Sequence, residues 1–131
     1  MVNLHTSLLP WNRGANPNFW SFIDDTPKGV TIHEINVGLD KGRIICQREC
    51  FFDPKEETFV TSYDKLNQMI TQLFMEKWEE IVSGAIFPIE QPRGGSYHSV
   101  NDLKELKDRI GFEWTDNIAE VLRRYEEYKN R

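Results

Sequence analysis

Cysteine is scarce in these 131 residues: Cys46 and Cys50 are too few for a disulfide framework. Their spacing matches neither a redox Cys-x-x-Cys pair nor a zinc ligand set, so they read as two free thiols of a cytoplasmic protein. The three histidines, His5, His33 and His98, stand far apart in sequence, so no clustered ligand set is visible and no metal is expected. Positive charge is short as well. Sixteen Lys and Arg against 21 Asp and Glu leave a net charge of -5, which weighs against a nucleic-acid face. No run approaches the roughly 18 apolar residues of a membrane span. The start, Val2-Asn3-Leu4-His5, has neither the basic nor the apolar stretch of a signal peptide. Repeats and low-complexity tracts are lacking too. What the chain does have is aromatics: four Trp, four Tyr and eight Phe within 39% hydrophobic residues. That is enough to bury the core of one small domain, and it excludes a disordered chain.

Along the sequence, Met1 to Leu9 reads as a short buried strand running into a loop broken by Pro10. Asn16-Pro17 predicts a helix start, with an Asn cap and proline at the first helical position. The alternating, β-branched run Gly29 to Ile35 predicts a strand, and Arg43 to Phe52 its hairpin partner across the loop Asn36 to Gly42. Apolar residues at three-and-four spacing predict a long helix from about Ser62 to Ser83, stopped by Gly84. Ile86 to Ile89 reads as an edge strand and Gln91 to Ser96 as a flexible connector. Two short helices follow, one around Leu103, Leu106 and Ile110 and one around Ile118, Val121, Leu122 and Tyr125. Strands followed by helices point to an α/β class, yet too few crossover units are present for a complete doubly wound domain.

Chemistry concentrates in Asn3, His5 and Asp40, the last in a tight loop thirty-five residues after His5. An amide, an imidazole and a carboxylate that converge can stabilise an oxyanion and move protons. On residue type alone each also has a plain structural use. Asn3 can satisfy backbone groups beside a strand end, His5 can be a hydrogen-bonded core histidine, and Asp40 can be a turn former.

The ordered set of motifs is more specific. Asn3-x-His5, Ser7-Leu8-Leu9-Pro10, Arg13-Gly14-Ala15 and Gly29-Val30-Thr31-Ile32-His33 occur in that order. Leu39-Asp40-x-Gly42-x-Ile44-Ile45-x-Gln47 and Glu57-Thr58 follow them before the long helix. Over Asn3 to about Pro88 the chain resembles the folate-dependent formyltransferases, which act on methionyl-tRNA, glycinamide ribonucleotide or amino sugars. The resemblance implies formyl transfer from 10-formyltetrahydrofolate to an amine. It makes Asn3, His5 and Asp40 the catalytic trio, with Asn3 and a protonated His5 meeting the oxyanion and Asp40 assisting proton transfer. Asn36, Val37, Gly38 and Leu39 fall in the loop that meets the pterin through backbone groups. His33 falls beside the site, and Arg13 either binds an anionic substrate or caps a local loop.

The same resemblance sets the expected architecture. Residues 1–90 correspond to the second half of a Rossmann-like open sheet with helices, and residues 91–131 to a connector with a short helical C-terminal extension. The trio is expected at the carboxyl ends of neighbouring strands. Asn67 and Ile70 stand where purine-pathway members carry a basic and an acidic substrate contact, which counts against glycinamide ribonucleotide. The acidic-to-neutral ending counts against tRNA. The Gly94-Gly95-Ser96-Tyr97-His98 tail resembles the sugar-nucleotide members, so an amino sugar nucleotide is the favoured acceptor. Methionyl-tRNA formyltransferase and a non-catalytic binding or oligomerising remnant are the alternatives. The family's first half is missing from this sequence. The expectation is therefore little activity from these residues alone, and self-association, such as a homodimer, through an unpaired strand edge.

Overall fold

The computed structural model describes residues 1–131. In chain order the elements are β1 (Val2–His5), β2 (Arg13–Gly14), α1 (Pro17–Ile23), β3 (Lys28–Glu34), β4 (Ile44–Cys50), α2 (Phe59–Ser83), β5 (Tyr97–His98), α3 (Val100–Ile110) and α4 (Ile118–Lys129). The main sheet has the order β1-β3-β4, and both pairings are antiparallel. A second, two-stranded sheet pairs β2 with β5 in parallel.

Alternation along β3 separates two chemistries. Val30 and Ile32 point to one face, where they are wholly buried against Leu66, Ile70 and Leu73 of α2. Each such side chain contributes about 2 kcal/mol by leaving water. Thr31 and His33 point to the opposite face. Cross-strand partners share a face, so Asn3 opposite His33 and His5 opposite Thr31 join them. One face of the sheet thus holds the core and the other collects polar side chains. A register shift between Ile32 and His33, where β4 skips from Cys46 to Ile44, bends the sheet beside those residues.

Helix α2 starts earlier than the apolar spacing implies. Thr58 caps it, accepting from the Thr61 amide at 3.0 Å while the Thr61 hydroxyl accepts from the Thr58 amide at 2.9 Å. Gly84 ends it at φ 72°, as expected. At α1, Pro17 sits in the first turn, but Asn16 lies in the left-handed region at φ 52° and makes no side-chain cap. The edge strand expected over Ile86 to Ile89 shrinks to one bridge, Ile44 with Ile89, since Pro88 lacks an amide hydrogen.

Two further expectations change. β1 is half exposed rather than buried, because it pairs on one side only, with β3. Because β1 and β3 run antiparallel, their carboxyl ends lie at opposite ends of the sheet. The polar residues therefore gather on a sheet face, not along a shared carboxyl edge.

Residues before and after position 91 share a second core. Phe19, Trp20, Phe22 and Ile23 of α1 pack with Phe59, and with Leu106, Phe112, Ile118 and Val121 from the C-terminal stretch. Backbone bonds stitch the same join: Val60 N–H to Trp114 C=O at 3.1 Å and Ile118 N–H to Glu57 C=O at 2.9 Å. No helix is long and apolar enough to cross a membrane.

Candidate active site

At the polar face, one buried carboxylate receives two imidazoles. Asp40 Oδ1 lies 3.6 Å from His5 Nδ1 and 3.5 Å from His33 Nε2, and its Oδ2 accepts the Gly14 amide at 2.9 Å. All three side chains are nearly closed to water: His5 is 7% exposed, His33 2% and Asp40 8%. Asp40 holds φ 57°, a left-handed conformation that Asp tolerates better than most residues.

Backbone carbonyls decide which ring nitrogen carries hydrogen. His5 Nε2 stands 2.9 Å from the Asn12 carbonyl and must donate to it. His33 Nδ1 stands 2.8 Å from the Glu34 carbonyl and must do the same. Each neutral ring therefore turns a lone pair toward Asp40, and only a protonated ring can bond to it. Two rings compete for one carboxylate. Burial is the largest influence on both. In His33, the Asp40 carboxylate and the Glu34 carbonyl together outweigh it, and the pKa rises above its ordinary 6.5. In His5, burial outweighs the attraction of Asp40, so the pKa falls below 6.5. Burial pushes the Asp40 carboxyl upward, but His33, His5 and the Gly14 amide together hold it below its ordinary 3.8. The resting site thus protonates His33 first and keeps His5 neutral, contrary to the expectation of a protonated His5. The reason is burial, which in His5 outweighs both Asp40 and the Asn12 carbonyl.

This pattern has a pH consequence. His5, lowered, contributes stability above pH 6.5 that is lost as pH falls toward its folded pKa. His33, raised, contributes stability below pH 6.5 that is lost as pH rises through its folded pKa. Melting temperature should therefore peak near pH 6.5, with a further loss in acid as Asp40 titrates below 3.8. His33→Gln should remove the decline on the alkaline side. A melting curve flat from pH 5 to 8 in both proteins would contradict the assignment.

Asn3 pairs with His33 across the strands, on the same sheet face, and is exposed. Its Oδ1 accepts the Leu4 amide at 3.0 Å, which leaves the amide N–H₂ turned to solvent without a protein partner. The expected loop residues also border open space. Asn36, Val37 and Leu39 are exposed, and Gly38 N–H closes an Asx turn on Asn36 Oδ1 at 2.9 Å. Leu39 lines an open cavity of about 520 Å³ with Arg13, Lys41, Gly95, Ser96 and Tyr97. Arg13 does not reach the carboxylate. Its guanidinium bonds Gln91 Oε1 through Nε at 3.1 Å and Nη2 at 2.7 Å.

Thr31 and Gln47 stand in the quoted motifs, but their roles escape a sequence reading. The Thr31 hydroxyl donates to the Ser7 carbonyl at 2.7 Å and accepts the Leu9 amide at 3.1 Å, and Gln47 Nε2 donates to the Leu9 carbonyl at 2.8 Å. These bonds tie the Ser7–Pro10 loop to the sheet behind His5. The alternation that puts Thr31 on the polar face was the available signal. Gln91, by contrast, gave none. His98 stands apart from the site, stacked 3.7 Å over Trp20 with Nε2 2.6 Å from Asp24 Oδ2.

Comparison with known proteins places this geometry. The dTDP-4-amino-4,6-dideoxyglucose formyltransferase of Mycobacterium bovis is 34% identical over 106 residues, covering 81% of this chain and 45% of that protein. The chain thus spans about half the length of the curated relatives it matches. Among solved structures, the formyltransferase PseJ from Anoxybacillus kamchatkensis superposes with a TM-score of 0.85 at 49% identity, over 92% of this chain and 63% of that one. It was solved in complex with UDP-4,6-dideoxy-4-formamido-L-AltNAc and tetrahydrofolate. The N-formyltransferase of Helicobacter canadensis, bound to folinic acid and dTDP-3-aminofucose, gives 0.80 at 25% identity, over 98% of this chain and 49% of that one. A family model described as formyl transferase matches residues 1–77, more than half of the sequence. The chain belongs to the formyl transferase family.

Proposed function

We propose that this chain is the catalytic C-terminal part of an enzyme that moves a formyl group from 10-formyltetrahydrofolate to the amine of a nucleotide-linked amino sugar. In this division residues 1–90 belong to the catalytic domain and residues 91–131 form its connector and helical extension. The observation that carries the proposal is the buried Asp40 shared by His5 and His33, with the free amide of Asn3 on the same face. The sugar-nucleotide names of the similar proteins support the choice of acceptor.

The donor supplies an activated formyl carbonyl and a nitrogen that can leave. The exposed Asn3 shares a sheet face with His5 and His33, and its amide N–H would donate to a carbonyl oxygen gaining negative charge there. Asp40 takes the proton lost by the amine, shares it with the Nδ1 of a His5 that starts neutral, and returns it to the folate nitrogen as that nitrogen leaves. His5 Nε2 is already committed to the Asn12 carbonyl, so its help to the oxyanion is positive charge and not a second hydrogen bond. His33 faces the same Asp40 oxygen and favours the ionised form of that carboxyl. The exposed turn Asn36 to Leu39 offers backbone groups to the pterin. Arg13 takes its supporting part through Gln91. A cytoplasmic location suits the two free thiols, Cys46 and Cys50. A homodimer would use the unpaired side of β1.

The test is formyl transfer by the full-length gene product, supplied with 10-formyltetrahydrofolate and a dTDP- or UDP-linked 4-amino sugar, and read as the formamide by mass spectrometry. Asn3→Ala should lower kcat by roughly 10²–10³-fold, as losing one oxyanion donor does elsewhere, with folate affinity nearly unchanged. Transfer to no amino sugar nucleotide, or an Asn3→Ala variant as fast as the parent, would overturn the proposal.

A further inference from the structure

The side chain of Gln91 is fully used, and in only one orientation. Its Nε2 faces two carbonyls, donating to Asp40 C=O at 2.7 Å and Gly42 C=O at 2.8 Å. Its Oε1 faces the Arg13 guanidinium and accepts from Nε and Nη2. Exchanging O and N would set acceptor against acceptor and donor against donor, so the amide orientation is fixed by its neighbours. Two residues earlier, Ile89 exchanges both backbone bonds with Ile44, at 2.7 and 2.8 Å, which anchors this segment to the start of β4.

The bonds converge on the loop that carries the shared carboxylate. Asp40 is held at both of its ends: its carboxylate by the Gly14 amide and its carbonyl by Gln91. Arg13, next to Gly14 in the chain, ties the two ends together through Gln91. The Arg13 amide donates to Ser96 C=O at 2.9 Å and its Nη1 to Gly94 C=O at 3.4 Å, so residues 91–96 wrap the same strand. A left-handed Asp persists where surrounding bonds over-determine it. The loop also lies hard against β3: a Cβ on Gly42 would fall 1.5 Å from the Glu34 carbonyl oxygen.

We infer that Gln91 is the positioning residue of the site, setting the Asp40 carboxylate against His5 and His33 through the Asp40 and Gly42 carbonyls, with Arg13 as its brace. The inference rests on the proposed reading of Asp40 as the proton-relaying carboxylate. It assigns Arg13 to the scaffold, not to substrate. It also gives the segment after α2, which lies beyond the family match at residues 1–77, a direct part in the site.

Gln91→Glu separates positioning from bulk. Glu keeps the shape and the bond to Arg13 but offers no N–H to the two carbonyls, which would then face a carboxylate. Gln91→Leu removes all four bonds at similar volume, and if it fails to fold, Gln91→Glu still decides. The readout is the titration of the His5 and His33 ring carbons by NMR, with Asp40→Asn as the reference. Asp40 moved away from His33 leaves burial opposed only by the Glu34 carbonyl, so the apparent pKa of His33 should fall in both Gln91 variants, in the direction Asp40→Asn moves it. In the full-length gene product, kcat should fall by roughly 10²-fold with KM for both substrates unchanged, as expected for a displacement of about 1 Å. A lower melting temperature with an unmoved His33 titration would make Gln91 merely structural and overturn the inference. The NMR arm needs no turnover, so an Asp40→Asn variant of full activity would sink the proposed reading without deciding this one.

Discussion

Asp40→Asn should reduce formyl transfer by about 10²–10⁴-fold, the range typical for losing a positioned acid–base group. The substitution is close to isosteric, and an Asn oxygen can still accept the Gly14 amide that now meets Oδ2. What disappears is charge. His5 Nδ1 and His33 Nε2 both approach Oδ1, and both rings have their other nitrogen committed to a carbonyl. Without the carboxylate only the Asn12 and Glu34 carbonyls still favour an imidazolium against burial, so both rings stay neutral to lower pH. The amine proton then lacks its first acceptor, and His5 no longer acquires the charge that would help an oxyanion. Single-turnover rates with saturating donor report the chemical step directly. The loss should appear there in full, with donor affinity little altered, because Asp40 is 8% exposed and meets its neighbours more than any ligand. A rate within tenfold of the parent would mean that another group carries the proton.

How far this site could be read in advance follows from its geometry. Asn3 and His5 are two apart on a strand, so they share a face whatever the strand pairs with. Asp40 sits between glycines in a loop whose flanking strands are β-branched and alternate, so its approach to that face was legible too. The order of protonation was not. It depends on the Asn12 and Glu34 carbonyls, which no residue type signals, and on burial that only the assembled loop provides. The antiparallel course of β1 against β3 was hidden because a four-residue strand carries no mark of direction. Gln91 was missed for another reason: it reaches Asp40 across fifty-one residues of sequence and follows Pro88 and Glu90 in what reads as a connector. Local propensity describes the segment well and still says nothing of where it docks.

Docking of the C-terminal stretch rests on one aromatic cluster, and Phe19→Ala should show it, lowering unfolding free energy by about 3–5 kcal/mol. Phe19 is 1% exposed. Its ring stacks on Phe112 at 4.9 Å and meets Phe59 and Trp20 at 5.1 Å and Trp114 at 5.9 Å. Those partners come from α1, the start of α2 and the loop between α3 and α4, so the cavity would open where three parts of the chain meet. Four rigid rings cannot collapse into such a space as aliphatic side chains do, which places the expected loss high in its class. Denaturant unfolding by tryptophan fluorescence measures it, since Trp20 and Trp114 both flank the gap. The consequence extends to the site. Residues 91–98 run from the Asp40 loop to the base of α3, and β5 pairs with β2 beside Gly14. Loosening the cluster should therefore weaken the hold on Asp40 as well, and the His33 titration should drift downward in Phe19→Ala before global unfolding. A loss under about 1 kcal/mol would count against the cluster, since ordinary core truncations of this size cost several times that. It would leave the backbone stitches at Val60–Trp114 and Ile118–Glu57 as what holds the stretch in place.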